Sequence, residues 1–385
     1  MSIALVMSGG GARGAYEIGV LSVLMPELER RGEKPSIIVG TSVGAFNAAF
    51  AASRAHCPAA EAVDEGIRYW HELVWGDSLE PLGASGDEPA RRRLLAQLLG
   101  VRRPRVHALL DPTPLEKTLE RIVDFDQIAR NVADGALESV AVATTSALTG
   151  RTVVFHAGGG SPEHDAVRQI DYVAAKLDGS HVRASGAIPG LFPAVHVDGP
   201  ERARGWYFDG GTRLNTPIKP ALELGAKRVV VIGLNSIAPG PEQLAGPHRP
   251  DVFEASAQVM QALIIDRLTD DMRELAAENP PGGHEELIRY VFVAPQKRDE
   301  IGAIAARVWN EHYTGVGGLL RDRNLALLGR FVAGGDDAAH GELLSFLFFA
   351  PEFARELIAL GRRHARDWLA APHEDGPWQT GPLPG

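Results

Sequence analysis

A serine framed by glycines lies near the start of the chain. The segment Gly40-Thr41-Ser42-Val43-Gly44 follows a short apolar run and precedes an alanine-rich stretch, which predicts a strand, a sharp turn and a helix. Such a turn holds the Ser42 hydroxyl at the positive end of the helix, where a developing alkoxide is stabilised, so Ser42 is a candidate nucleophile. A simpler interpretation makes Ser42 only a helix N-cap. A cap, however, does not require glycine on both sides.

A second glycine-rich turn, Gly9-Gly10-Gly11-Ala12-Arg13-Gly14, lies between another apolar run and another predicted helix. Backbone N–H groups and the helix dipole converge at such a turn, so we expect it to bind an anionic atom. The spacing also fits the dinucleotide fingerprint Gly-x-Gly-x-x-Gly, which gives a nucleotide-binding oxidoreductase as an alternative. That alternative needs an acidic residue at the end of the second strand. The strand ends in Val39-Gly40-Thr41-Ser42 instead, which disfavours it.

A nucleophilic serine needs a base, and Asp209-Gly210-Gly211 is the best candidate. It follows the aromatic run Trp206-Tyr207-Phe208, and its two glycines leave space around a carboxylate at a strand end. An Asp with an ordinary pKa of about 3.9 is a poor base, so burial would have to raise its pKa. The alternative is a hairpin turn, which Asp-Gly also favours. With Ser42 as nucleophile and the amides of Gly9 to Gly11 as oxyanion donors, Asp209 completes an acyl-transfer site.

These three motifs, in this order, resemble those of the patatin-like phospholipases. The segments Ala184 to Pro193 and Asp111 to Leu115 resemble further stretches of that family, so that the resemblance extends over roughly Ile3 to Leu222. It implies a three-layer α/β/α fold around a mostly parallel sheet. It also implies a Ser42–Asp209 dyad, an oxyanion hole at Gly9, Gly10 and Gly11, and supporting roles for the remaining motif residues, Arg13, Gly14, Gly40, Gly44, Gly210 and Gly211.

The activity implied by the resemblance is hydrolysis of fatty-acyl esters in phospholipids or neutral lipids through an acyl-enzyme, without a metal or other cofactor. An alternative on the same fold is a lipid-binding or signalling module with little turnover. His248, His284 and His312 follow Asp209, but none lies at a glycine-framed strand end, which favours a dyad over a triad. For Arg13 we favour bracing of the glycine-rich turn over binding of an anionic headgroup, since a guanidinium offers five donors in a rigid fork.

The elements that must position these residues follow from the apolar patterns. We predict a catalytic region over residues 1–222, with a helical insertion at about 60–135, and a C-terminal region over 223–385 whose tail is loose from about 372. Helices are predicted at 14–31 and 45–52, and around Val259 to Met272. Strands are predicted at residues 3–7, 36–39, 140–143, 152–155, 206–208, 229–232 and 290–293. The alternation of strands and helices predicts a largely parallel α/β sheet.

Composition narrows the possible partners and the compartment. A net charge of −10 over 385 residues disfavours a general nucleic-acid binder, and the single cysteine, Cys57, allows no internal disulfide.

Without a basic leader or an apolar run of about 20 residues, we expect a cytoplasmic protein with no signal peptide and no spanning segment. A peripheral membrane contact through the basic patch at residues 91–93 and 102–105 is an alternative to a solvated helix face. The apolar run Leu343 to Ala350 favours a buried helix turn over membrane insertion. The oligomeric state is not predicted.

Overall fold

The computed structural model describes residues 1–73, 80–81, 110–111, 113–160, 162–238, 288–314 and 338–380. Within these residues, nine strands form one mixed sheet. The strands of the whole described chain are β1 (Ile3–Met7), β2 (Ile37–Thr41), β3 (Glu80–Pro81), β4 (Leu110–Asp111), β5 (Ser139–Ser146), β6 (Thr152–Gly158), β7 (Ile170–Ala174), β8 (Val195–Val197), β9 (Gly205–Asp209), β10 (Arg228–Ile232) and β11 (Arg289–Val293). The helices are α1 (Gly14–Arg30), α2 (Val43–Ser53), α3 (Ala59–Glu72), α4 (Thr113–Ile122), α5 (Phe125–Ala133), α6 (Gly179–Ser185), α7 (Ile218–Glu223), α8 (Glu300–His312), α9 (Ala338–Leu347) and α10 (Pro351–Ala370).

The sheet has the order β11-β10-β1-β2-β5-β6-β7, and β9 pairs with both β5 and β8. The pairs from β11 to β5 are parallel, as is β6 with β7, whereas β5–β6, β5–β9 and β8–β9 are antiparallel. Helices cover both sides of this mostly parallel sheet, which confirms the predicted α/β/α class. The antiparallel β5–β6 pair follows from the tight turn closed by Ser146 and Arg151, which is too short for a parallel crossover.

The central strands form the core. β1 and β2 are buried along their whole length, and β10 is buried after its first residue, because helices on both faces leave no solvent-exposed side. Covering both faces explains why these strands are near-continuous apolar runs rather than alternating patterns. The predicted strands all occur, with bounds shifted by a few residues at most. β7 and β8 were not predicted, and β7 carries a polar residue, Asp171, on the edge of the sheet.

The register of the sheet brings two strand ends to one level. Thr41 at the end of β2 lies opposite Ala143, and Asp209 at the end of β9 lies opposite Thr144. Because β9 runs antiparallel to β5 beyond the end of β2, its last residue meets the turn that follows β2. The candidate nucleophile and base, separated by 167 positions in sequence, are thus placed side by side by strand pairing.

Two expectations about the larger segments are wrong. The insertion at 60–135 is not helical throughout, since β3 and β4 form an antiparallel pair between α3 and α4. The tail is not loose over residues 372–380, because Trp378 is only 1% exposed and Gln379 pairs with Tyr290 through backbone hydrogen bonds. The basic patch at 91–105 and the helix predicted around Val259 to Met272 lie outside the described residues. Of the described helices, none is long and apolar enough to cross a membrane.

Candidate active site

Ser42 occupies a strained turn between β2 and α2. Its φ of 55° lies in a region that residues other than glycine rarely adopt, at a cost of about 1–3 kcal/mol. The glycines on both sides are needed because backbone passes close by: a Cβ on Gly40 would lie 2.1 Å from the Gly44 carbonyl oxygen, and one on Gly44 would lie 2.4 Å from the Met7 carbonyl oxygen. The two glycines therefore permit the close backbone packing that places Ser42 at the carboxyl end of β2.

The Ser42 hydroxyl donates a hydrogen bond to Asp209. The distance from Ser42 Oγ to Asp209 Oδ2 is 2.7 Å, and the Ser42 side chain makes no capping hydrogen bond to α2, so the interpretation of Ser42 as only an N-cap is wrong. Asp209 does not begin a hairpin either. It precedes a 3₁₀ turn at Gly210–Thr212, and its Oδ1 accepts a 2.6 Å hydrogen bond from the Gly211 amide. A Cβ on Gly210 would lie 2.3 Å from the Ala143 carbonyl oxygen, so this glycine also permits close backbone approach.

Burial sets the acidity of Asp209. The residue is 4% exposed, and desolvation of the carboxylate raises its pKa from 3.8 to about 7, although the hydrogen bonds from Ser42 and Gly211 lower it. Desolvation outweighs these two hydrogen bonds because the charged form loses its water on all sides. A carboxylate with a pKa near neutrality is matched to accept a proton from a hydroxyl at neutral pH. The arrangement is that of a nucleophile with an adjacent base.

The backbone of the strained turn is held by a second serine. The Ser42 amide donates to Ser185 Oγ at 2.8 Å, and this hydroxyl donates in turn to the Ala143 carbonyl at 2.6 Å. Ser185 is fully buried at the end of α6. It lies in the Ala184 to Pro193 segment, to which the sequence assigned no chemistry. Its contribution is to link the turn at Ser42 to β5, and the small residues around it were the only sequence signal for such a close approach.

The first glycine-rich turn lies against Ser42, but its three amides differ. The Gly9 amide donates to the Asn215 carbonyl at 3.1 Å, so Gly9 is not a free oxyanion donor, contrary to the prediction. The amides of Gly10 and Gly11 have no hydrogen-bond acceptor within the described part of the chain. Gly11 lines the same cleft as Ser42. Of the three predicted donors, Gly10 and Gly11 are therefore the two that the described residues leave unengaged.

Arg13 points away from the cleft into the protein. It is 1% exposed, and its three guanidinium nitrogens all donate hydrogen bonds, to Ser345, Asn235 and Glu342. This geometry supports bracing of the turn over headgroup binding. At the next motif position a Cβ on Gly14 would lie 2.4 Å from Val43 and 2.8 Å from Trp70, so α1 starts in direct contact with the turn that carries the nucleophile.

A buried polar cluster joins α1, α2 and α3 beneath the two turns. Asn47 donates from Nδ2 to the Gly14 carbonyl at 3.1 Å and to Glu17 Oε2 at 2.7 Å, and it accepts from Trp70 Nε1 at 3.1 Å. Glu17 is fully buried, and desolvation raises its pKa to about 8. A carboxyl with this pKa is mainly neutral at pH 7. The cluster fixes the start of α1 relative to α2 without burying an ionised carboxylate at that pH.

An apolar cleft opens beside Ser42. It encloses about 690 Å³, including the space at its open mouth, and most of its wall is apolar. Its lining comprises Gly11, Ser42, Val43, Phe46, Trp70, Leu73, Leu115, Leu119, Val182, Arg183, Gly186, Ile188, Phe192, Phe346, Leu347 and Phe349. The last three come from the run Leu343 to Ala350, which is packed in the core, as predicted, rather than free to insert elsewhere. No local pattern in the sequence indicated that this run borders the nucleophile.

Among the residues that the structure covers, no histidine forms a hydrogen bond with the Ser42–Asp209 pair. His312, at the end of α8, lies beside Glu311, and neither Ser42 nor Asp209 accepts or donates a hydrogen bond involving a described histidine. His248 and His284 lie outside the described residues. The geometry of the described residues is that of a serine paired directly with an aspartate.

Comparison with known proteins gives a family. The family model described as patatin-like phospholipase matches residues 5–222, more than half of the 385-residue chain. No curated protein matches the chain. Among solved structures, VipD from Legionella pneumophila is 12% identical at a TM-score of 0.27, with 94% of this chain and 67% of that chain covered. A chain of the heterodimeric ExoU–SpcU complex from the type III secretion system of Pseudomonas aeruginosa is 16% identical at a TM-score of 0.26. This match covers 96% of the present chain and 76% of that chain. On the match over residues 5–222, the chain belongs to the patatin-like phospholipase family.

Proposed function

We propose that this protein is a serine lipid acyl hydrolase that cleaves fatty-acyl esters of phospholipids or neutral lipids through an acyl-enzyme, with Ser42 as nucleophile and Asp209 as general base. Family membership supports lipid acyl hydrolysis as the activity. The observation that carries the two roles is the 2.7 Å hydrogen bond from the Ser42 hydroxyl to a buried carboxylate, at a strained turn beside an apolar cleft. The cleft provides an apolar environment for an acyl chain, which matches a lipid substrate.

The first half of the proposed reaction forms the acyl-enzyme. Asp209 Oδ2 accepts the Ser42 proton while Ser42 Oγ attacks the ester carbonyl carbon, and the carbonyl π electrons move to the oxygen. The amides of Gly10 and Gly11 donate hydrogen bonds to this oxyanion, which favours the transition state over the bound ester. Collapse of the tetrahedral intermediate breaks the bond to the alcohol, which leaves with the proton held by Asp209. Ser42 is then acylated.

The second half returns the enzyme to its starting state. Asp209, ionised again, accepts a proton from a water molecule as the water oxygen attacks the acyl-enzyme carbonyl. The intermediate collapses with the Ser42 oxygen as leaving group, and Asp209 returns the proton to it. The products are a fatty acid and free enzyme. One carboxylate performs both proton transfers, which requires a pKa close to the working pH, as the buried Asp209 has.

The test is ester hydrolysis by the purified protein and its variants. Ser42→Ala and Asp209→Asn should each lower kcat by at least about 1,000-fold, as removal of a nucleophile or its base does in serine hydrolases. Ser53→Ala is a matched control, because Ser53 is a buried serine on α2 whose hydroxyl, within the described part of the chain, bonds only to its own helix and to its neighbour Arg54. It should keep kcat within about 2-fold, since its hydroxyl contacts no site residue.

Covalent labelling separates an enzyme from a binding module. A fluorophosphonate should add to wild-type protein at Ser42, as read by peptide mass, and should not add to Ser42→Ala. Full hydrolytic activity in a folded Ser42→Ala or Asp209→Asn variant would remove that residue from its role. A folded wild-type protein that neither reacts with the phosphonate nor hydrolyses esters would support a lipid-binding protein with little turnover.

A further inference from the structure

The C-terminal end of α9 lies directly on the first glycine-rich turn. Gly11 has a φ of +59°, and a Cβ at this position would lie 2.1 Å from the Phe346 carbonyl oxygen. Phe346 and Leu347 from the same helix line the cleft beside Ser42. α9 lies outside the segment matched by the family, which ends at residue 222. A part of this chain beyond the matched region therefore borders the proposed oxyanion donors.

Arg13 connects this helix to the turn through two of its three guanidinium nitrogens. Its Nη2 donates to Glu342 Oε2 at 2.6 Å and to the Glu342 carbonyl at 2.9 Å, and its Nε donates to Ser345 Oγ at 2.8 Å. Its Nη1 donates to Asn235 Oδ1 at 2.8 Å, and the guanidinium carbon lies 3.9 Å above the Phe346 ring. A guanidinium held at every nitrogen has little freedom to change orientation.

Glu342 is the acidic partner in this contact, and its side chain is itself held. Its other oxygen, Oε1, accepts a 3.0 Å hydrogen bond from the Gly302 amide of α8. The two side chains of the ion pair are 2% and 6% exposed, so water does not compensate either charge. Loss of one partner from a buried pair leaves the other charge unpaired in a low-dielectric surrounding. The Glu342 side chain thus supplies the charge that balances the buried Arg13 guanidinium.

We propose that Glu342 is a positioning residue for the hydrolysis proposed above, on which this inference rests. Fixed by Gly302, Glu342 holds the Arg13 guanidinium, and the Arg13 amide donates a 3.2 Å hydrogen bond to the Gly10 carbonyl of the turn. The amides of Gly10 and Gly11 are thereby kept in place to receive the oxyanion. Glu342 does not line the cleft and acts only through Arg13.

This role predicts a specific kinetic signature. Oxyanion donors act on the transition state, so their displacement lowers kcat more than it raises KM. The apolar wall that binds the acyl chain stays in place when Glu342 changes, because Phe346 and Leu347 are anchored in the core. A merely structural role would instead lower the amount of folded protein and leave the kcat of the folded fraction unchanged.

The experiment compares the 385-residue protein with its Glu342→Gln variant, which keeps the shape of the side chain and one acceptor oxygen but removes the charge. With a monomeric fatty-acyl ester as substrate, kcat per folded active site should fall about 10- to 100-fold. This decrease is smaller than the roughly 100- to 1,000-fold decrease that follows complete removal of one oxyanion donor, because the variant displaces the donors without removing them. KM should stay within about 3-fold. The rate of fluorophosphonate addition to Ser42 should fall in parallel with kcat, because that reaction also develops charge on an oxygen in the oxyanion site.

Glu33→Gln is the matched control. Glu33 pairs with Arg228 and accepts a hydrogen bond from Trp378, and it lies just before β2, at the opposite end of that strand from Ser42. Its loss should lower the melting temperature and leave kcat unchanged. In the double variant Arg13→Gln/Glu342→Gln, kcat should equal that of Arg13→Gln alone, since Glu342 has no effect once its partner is gone.

The outcomes separate this inference from the proposed function. A folded Glu342→Gln variant with wild-type kcat and labelling rate overturns the positioning role, as does a loss of activity that only follows the folded fraction. If Glu342→Gln does not fold, Glu342→Asp replaces it: this variant keeps the charge but withdraws the carboxylate, and wild-type kcat in the folded protein overturns the role equally. Hydrolysis that persists in Ser42→Ala would instead defeat the proposed function, whatever Glu342 does.

Discussion

Burial of the Asp209 carboxyl decides the pH range in which the Ser42–Asp209 pair can work. An aspartate on the surface is ionised above about pH 4 but is too weak a base to take a proton from a hydroxyl efficiently. Asp209 is buried at a strand end and has a pKa of about 7, so it is a stronger base that is still substantially ionised at neutral pH. The same burial makes its protonation state depend on pH within the neutral range.

The rate of hydrolysis should therefore rise with pH through about 7. Only the ionised carboxylate accepts the Ser42 proton, so kcat/KM of the wild-type protein is expected to be low at pH 5 and to level off once Asp209 is ionised. Initial rates with a soluble fatty-acyl ester, measured from pH 5 to 9 at constant ionic strength, give this profile. A profile with its midpoint near 4 would contradict the raised pKa of Asp209, since an aspartate base with an ordinary pKa titrates there.

Folding stability offers an independent control on the same group. The pKa of Asp209 is raised on folding, so its contribution to stability is fully present below the unfolded value of 3.8 and is lost as pH rises through about 7. The side-chain amide of the Asp209→Asn variant does not titrate. The free energy of unfolding of wild type relative to that variant should consequently decrease between about pH 4 and 7 and become constant above that range. A constant difference across this window would contradict the raised pKa.

The site residues that the sequence predicted are those whose neighbours in the chain show a recognisable local pattern. Ser42 and Asp209 are framed by glycines at strand ends, so their local sequence shows both the turn and the open space. Ser185 and Glu342 carry no such local mark. Their contacts, with Ser42 and Arg13, join positions 143 and 329 residues apart and depend on tertiary packing alone. The hydrogen bond from the Gly9 amide to the Asn215 carbonyl could not be predicted for the same reason.

At the scale of elements, two glycines let α1 and α10 pack with their backbones in contact. A Cβ on Gly19 would lie 2.4 Å from the Ile358 carbonyl oxygen, and one on Gly361 would lie 2.3 Å from the Tyr16 carbonyl oxygen. α1 begins directly after the first glycine-rich turn, and a hydrogen bond between Tyr16 and His364 adds a second link to α10. The C-terminal helix thereby supports the helix that carries the turn.

Gly361→Ala should destabilise the protein although alanine favours a helix. The propensity gain is about 0.5–1 kcal/mol, whereas forcing a methyl group between two helix backbones costs about 1–3 kcal/mol. The clash should dominate because the contacted atom is a backbone carbonyl, which cannot rotate away. Chemical denaturation of both proteins measures the difference in the free energy of unfolding.

Gly179→Ala is the control for this substitution. Gly179 is also helical, in the first turn of α6, and an added Cβ there would meet its nearest neighbours, Leu119 and Phe125, at an ordinary 3.8 Å. This variant should be as stable as wild type or slightly more stable. If Gly361→Ala were equally well tolerated, the two helices would not be held by close backbone contact.

The strands were easier to predict than their directions. Each run of buried β-branched residues indicated a strand, because strands covered on both faces are apolar throughout. The antiparallel arrangement of β5, β6 and β9 leaves no such pattern in the sequence. The direction of β6 is set by the short turn that joins it to β5, and β9 pairs with β5 across 64 positions of the chain. The Gly and Pro content of the tail from 372 suggested a loose segment, yet the buried Trp378 and the pairing of Gln379 with Tyr290 hold residues 372–380 against the fold.

At the scale of the whole molecule, the sheet does not end where the family match ends. β10 lies beside β1 along its full length, and β11 extends the sheet beyond it, although both follow residue 222. Ser8, which directly follows β1, donates a hydrogen bond to the Ile232 carbonyl at 2.9 Å. The division at residue 222 that the sequence suggested therefore falls inside one structural unit rather than between two.

A fragment of residues 1–222 should for this reason fail to fold. It would lack β10, one of the two strands that pair with β1, so that the buried apolar strand β1 would have an open edge. It would also leave Arg13 without Glu342 as the partner for its buried charge. Circular dichroism should show no cooperative thermal unfolding, limited proteolysis should degrade the fragment under conditions in which the full chain persists, and Ser42 should not react with a fluorophosphonate. A fragment that melts cooperatively and labels at Ser42 would mean that residues 1–222 suffice to build the turn at Ser42. The C-terminal third would then modify a site that it does not create.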